Sequence, residues 1–136
     1  MKKVLFLVLS LLLVLSGCSK TTQAQPAEEN VPVHNIYQQI SQEDAKEMMD
    51  SQDVIILDVR EQDEFDSGHI PGAVLLPVGT IAEDTAAAVI PEADSVVLVY
   101  CRSGNRSKVA SQALADLGYT NVYEFGGIST WPYEVD

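Results

Sequence analysis

SVVLVYCRSGNRSKVASQALADLG, residues 95–118, joins the apolar run Val96–Tyr100 to a helical pattern through the short segment CRSGNRS (101–107). A run this brief and this rich in β-branched residues reads as a strand covered on both faces. The spacing that follows predicts a helix over 107–117, with Val109, Ala110, Ala113, Leu114 and Leu117 on one stripe and Gly118 closing it. A buried strand feeding directly into a helix is the unit of an α/β sheet.

The same alternation extends outward. VIILDV (54–59) and AVLLPV (73–78) are two further strand-like runs, and Asn121–Phe125 is a last short one. Ser41 is the N-cap of a helix over QEDAKEMMD, with Asp44 three residues on and Ala45, Met48 and Met49 facing inward, the methionines as core fillers. Thr80–Ile90 is a second short helix, stopped by Pro91. Strands alternating with helices define an α/β domain with a mostly parallel sheet and helices on both faces. Sites in such folds form where loops leave the carboxyl ends of strands. DVRE (58–61) and CRSGNRS both fall there.

The loop from Cys101 to Arg106 lies at a helix start, where unpaired N–H groups and the helix dipole attract anions. Gly104 permits the turn. Arg102 and Arg106 add charge, joined by Lys108. That field also favours a thiolate. Cys101 is therefore a candidate nucleophile in an anion cradle formed by Arg102, Ser103, Gly104, Asn105 and Arg106.

Before the domain, Lys2 and Lys3 precede an apolar stretch too short to span a bilayer, which reads as a signal peptide over 1–17. Its end, Leu15-Ser16-Gly17-Cys18, resembles the lipobox of bacterial lipoproteins. That resemblance implies acylation of Cys18 by chains such as palmitate, each buried methylene contributing ~0.8 kcal/mol. The implied place is the outer side of the cytoplasmic membrane, or the outer membrane of a Gram-negative cell. Ser19 is not the aspartate that marks inner-membrane retention. Residues 18–32 are polar and Pro-bearing, a tether reaching roughly 20 Å, and the domain is expected over 33–136.

Loss of Lys2 and Lys3 leaves six basic residues against twenty acidic ones, a net charge of −14. Such a chain is a poor binder of nucleic acid. If Cys18 carries lipid, Cys101 is the only free thiol, and no intramolecular disulfide forms. One free cysteine with two separated histidines, His34 and His69, makes no metal site, and no cofactor is implied.

DVREQDEFDSGHIPGA (58–73), CRSGNRS (101–107) and GGISTW (126–131), in that order, resemble the three signatures of single-domain rhodaneses. The resemblance implies a five-stranded rhodanese-like fold and a sulfurtransferase. In such an enzyme Cys101 takes sulfane sulfur from a small anionic donor as a persulfide and passes it to a thiol or cyanide acceptor. It also implies that the N–H groups of residues 102–106 hold the persulfide and that Arg106 orients the donor. The role of Arg102 is inferred from charge. Phosphatases with a related cradle place five residues between cysteine and arginine. Here there are four, with no acid inside the loop, which disfavours a phosphate ester.

Asp58, Arg60 and His69 are supporting candidates. Arg60 either contributes to donor binding or pairs with Glu61 or Glu64 as scaffold, Asp58 capping backbone amides. His69 is either a proton donor or the organiser of a turn beside Gly68 and Pro71, the commoner role for such a residue. Trp131 is expected to pack near the active loop. A second class of function is a sulfane-sulfur carrier that exchanges persulfide with a protein partner.

Overall fold

The computed structural model describes residues 36–136. The signal peptide, Cys18, the tether, Val33 and His34 lie outside the described residues. Five strands form one sheet: β1 Gln38–Gln39, β2 Ile55–Asp58, β3 Val74–Leu75, β4 Val96–Cys101 and β5 Asn121–Gly127. Their order is β1-β5-β4-β2-β3, and every pairing is parallel. Helices α1 Gln42–Ser51, α2 Gln62–Asp66, α3 Glu83–Val89 and α4 Asn105–Asp116 fill the crossovers.

Alternation along β4 divides the core. Val97, Val99 and Cys101 point into a cluster with Leu57, Ala86, Ala110 and Leu114, so α3 and α4 cover that face. Leu98 and Tyr100 point the other way, towards Ala45 of α1, Ile70, Phe125 and Trp131. The α/β architecture with helices on both faces is therefore present, and the sheet is parallel throughout. Trp131 packs as core against Phe125, with ring centroids 5.5 Å apart, in the cluster that does not contain Cys101. It packs as core, as expected, at the end of the turn whose Ser129 N–H bonds Arg102 O of the loop.

Local chemistry explains the boundaries. Ser41 caps α1 through Asp44 N–H at 3.0 Å, as its spacing predicts. Met48 and Met49 pack beside Ala45. β3 is only two residues long, because Pro77 leads the chain into a 3₁₀ turn at Val78–Thr80. That turn also displaces the start of α3 from Thr80 to Glu83. β1 and α2 carry no apolar pattern of their own. Gln38 and Gln39 are exposed, and α2 buries no residue fully.

The inner face of α4 differs from the sequence stripe. Ser107, Ala110, Ser111, Leu114 and Ala115 are buried, whereas Val109 is 63% exposed and Leu117 40%. The helix also begins at Asn105, two residues earlier than expected. Two buried serines conceal the true face from a reading based on apolar side chains. Ser107 is held there by polar partners near the sulfur.

Candidate active site

β4 delivers Cys101 to the carboxyl end of the sheet, where the chain turns at once into α4. Gly104 is the N-cap of that helix and has φ +97°, a left-handed conformation that favours glycine. Its N–H points back at Cys101 Sγ, 3.1 Å away. The thiol S–H reaches Ser107 Oγ at 3.5 Å. Cys101 is 1% exposed. That burial pushes the thiol up, yet hydrogen bonding with the Ser107 hydroxyl and from the N–H groups of Ser107, Gly104 and Ser103 outweighs it. Cys101 therefore sits below the ordinary thiol range.

The cradle is fixed from outside the loop. Ser129 N–H donates to Arg102 O at 3.1 Å. Gly127 lies directly against Arg102 and Ser103, where any Cβ would collide with their backbone atoms. Gln42 of α1 donates to Gly127 O at 2.8 Å. In the Gly126-Gly127 pair, Gly126 has positive φ and Gly127 permits the close approach.

Cradle side chains divide into two sets. Arg102, Ser103, Asn105 and Lys108 are exposed around the loop. Arg106 makes two hydrogen bonds to Glu64, Nη1 to Oε2 at 2.6 Å and Nη2 to Oε1 at 2.8 Å. Glu64 Oε2 also accepts the Glu61 N–H at 3.1 Å, so one carboxylate caps α2 and holds the active loop. Sequence reading linked Glu64 with Arg60; the fold gives it to Arg106.

Arg60 instead pairs with Asp58. Its Nη2 donates to Asp58 Oδ2 at 2.6 Å and its Nε to Oδ1 at 3.0 Å, and Asp58 also accepts the Arg60 N–H. Nη2 reaches Gly68 O at 2.8 Å. Both side chains are buried, so the pair ties β2 to the turn before Ile70. His69 stacks on Phe65 with centroids 3.8 Å apart, its Nδ1 3.0 Å from Phe65 O. Its backbone N–H and C=O both bond Asp136. This is the geometry of a turn organiser.

Two residues near the sulfur were not singled out from the sequence as participants. Ser107 Oγ donates to Glu124 Oε1 at 2.6 Å, and Glu124 is 3% exposed. An acid on the inward register of a strand, two residues after Val122, was the available signal. Among the described residues no group of three or more potential metal ligands gathers, and no helix is long and apolar enough to cross a membrane.

This arrangement suits one chemistry, a stabilised thiolate attacking an electrophile in an N–H-lined pocket. Comparison with known proteins agrees. The rhodanese-like domain family matches residues 41–133, and the prokaryotic membrane lipoprotein lipid attachment site matches residues 1–19. Thiosulfate sulfurtransferase GlpE of Coxiella burnetii is 36% identical over 97 residues, covering 71% of this chain and 88% of the relative. Thiosulfate sulfurtransferase PspE of Escherichia coli is 36% identical over 72 residues, covering 53% and 68%. Among solved structures, a rhodanese-related protein from Thermoplasma volcanium superposes with TM-score 0.59 at 30% identity, covering 74% of this chain and 98% of that one. A rhodanese with anions from E. coli gives 0.58 at 27%, covering 62% and 98%. The chain belongs to the rhodanese-like family. It is a sulfurtransferase of the rhodanese type and carries a lipoprotein attachment site at its start.

Proposed function

We propose that this lipoprotein moves sulfane sulfur from a small anionic donor such as thiosulfate to a thiophilic acceptor through a persulfide on Cys101. The Cys101 thiolate attacks the outer sulfur of the donor, the sulfur–sulfur bond of thiosulfate breaks, and sulfite leaves with its electron pair. An acceptor thiolate or cyanide then takes the outer sulfur of the persulfide and restores the Cys101 thiolate. The observation that carries this reading is the convergence of Gly104 N–H and Ser107 Oγ on a thiol with lowered proton affinity. Exposed Arg102 and Lys108 form the cationic approach in an otherwise acidic chain. The N–H groups of residues 102–106 hold the persulfide, with Asp58, Arg60 and His69 as scaffold. The attachment site at residues 1–19 supports acylation of Cys18 and a working position on the outer side of a bacterial membrane.

A carrier role, in which a protein partner supplies the persulfide, is favoured by one feature. Arg106 is already neutralised by Glu64 and offers a free anion less attraction. Incubation of the full chain with thiosulfate, followed by intact mass with and without cyanide, tests both readings. Gain of one sulfur, removed by cyanide, is expected of the enzyme. Loading only from a persulfidated protein makes it a carrier, and no loading from any donor refutes both.

A further inference from the structure

Among the described residues the buried acids are Asp58 and Glu124. Asp58 is neutralised by Arg60. Glu124 has only neutral donors: Ser107 Oγ at 2.6 Å and Gly126 N–H at 2.8 Å on Oε1, and Gln39 Nε2 at 3.4 Å on Oε2. A buried carboxylate without a cation is costly to keep charged. This one lies a single hydroxyl away from the sulfur, through the sequence Cys101 Sγ, Ser107 Oγ, Glu124 Oε1.

Hydrogen counting shows what the arrangement does. Ser107 has one hydroxyl hydrogen. In the resting thiol it lies on the short bond to Glu124, its other acceptor being Gly126 O at 3.3 Å, while the thiol donates to Ser107 Oγ. A thiolate needs that same hydrogen turned towards sulfur. One hydrogen cannot serve Glu124 and a thiolate at the same time.

We propose that Glu124 is a positioning residue that accepts the Cys101 thiol proton through Ser107, so that the buried site carries one negative charge throughout turnover. The S–H bond breaks as its proton passes to Ser107 Oγ, and the original Ser107 O–H bond breaks as its proton passes to Glu124 Oε1. A new O–H forms on each oxygen, no electrons are transferred, and net charge is unchanged. Ser107 then donates to the thiolate and, after sulfur transfer, to the persulfide-bearing cysteine. Two anions separated by one hydroxyl are avoided. Of the other charged groups around the loop, Arg106 is on Glu64 of α2, near Glu61 and within electrostatic reach of Cys101, and Arg102 and Lys108 face solvent. None of them bonds Glu124.

The proposal rests on Cys101 being the nucleophile, and its test reads the thiol rather than sulfur transfer. Full-length wild type and Glu124→Gln are alkylated with iodoacetamide across pH, and the rate at Cys101 is read on its own peptide by mass spectrometry. The wild type is expected to show two inflections separated by a level stretch, in which the proton only moves within the site. Glu124→Gln is expected to show one inflection, about one pH unit below the wild type's upper one, because the neighbouring anion is gone. Superposable profiles at unchanged melting temperature overturn the proposal. Should the variant not fold, carbon-13 spectra of the wild type decide: the Glu124 δ-carbon and the Cys101 Cβ must respond over the same pH intervals, and independent responses overturn it. If thiosulfate loads no sulfur while the alkylation profiles still differ as described, the donor reading falls and the role of Glu124 stands.

Discussion

Arg106 and Glu64, 42 residues apart in sequence, meet through two hydrogen bonds of 2.6 and 2.8 Å that fasten the active loop to α2. The paired guanidinium holds the Glu64 carboxyl down at about 2, with burial opposing and the Glu61 N–H assisting. A carboxylate depressed in the folded state stabilises it above its unfolded value and loses that contribution as pH falls through the folded one. Glu64→Gln should therefore lower urea stability at neutral pH by about 1 kcal/mol, the pair being partly open to water. The difference should vanish between about 4.5 and about 2. A difference that stays constant down to the acid limit would show that the pair contributes only packing.

Removal of the sulfur and removal of the arginine should separate chemistry from capture. Cys101→Ser should melt like the wild type and gain no sulfur from any donor, because a serine alkoxide is not accessible at neutral pH. Arg106→Ala should still load completely but about tenfold more slowly, because the loop that receives the donor loses its fastening to Glu64. Full turnover by Cys101→Ser refutes the persulfide route.

At Gly127, tolerance should depend on contact rather than on residue type. An added Cβ there meets Arg102 and Ser103 backbone, which cannot swing aside, whereas Gly79 has nothing within 4 Å and no positive φ. Gly127→Ala should cost about 1–3 kcal/mol and slow sulfur loading by displacing the cradle. Gly79→Ala should be neutral or stabilise by about 0.4–1 kcal/mol. Chemical denaturation of both variants decides the matter, and equal effects refute it.

For the buried pair of Asp58 and Arg60, losing one partner should be worse than losing both. Asp58→Asn leaves a guanidinium uncompensated and should destabilise by about 3–5 kcal/mol. Adding Arg60→Met should recover part of that loss. A double variant less stable than the single one would mean that the Gly68 carbonyl bond dominates.

The face of α4 offers a direct check on helix orientation. Val109→Glu alters a side chain 63% exposed and should change stability by less than about 0.5 kcal/mol. Ala110→Glu puts a charge into a site with no exposure and should prevent folding.

What could be read from the chain alone was whatever local chemistry sets. Val96–Tyr100 announced a strand buried on both faces, Ser41 with Asp44 announced a cap, and CRSGNRS announced an anion-loving turn, because each depends on residues within a few positions of one another. The three signatures carried the family for the same reason. Tertiary structure decided which partners complete the site. Register along β5 brings Glu124 beneath Ser107, and the crossover through α2 delivers Glu64 to Arg106, although neither contact has a sequence period to reveal it. The turn of α4 was decided there too: its buried side includes Ser107, held by Glu124 and Gly126 from a distant strand, which the apolar stripe could not reveal.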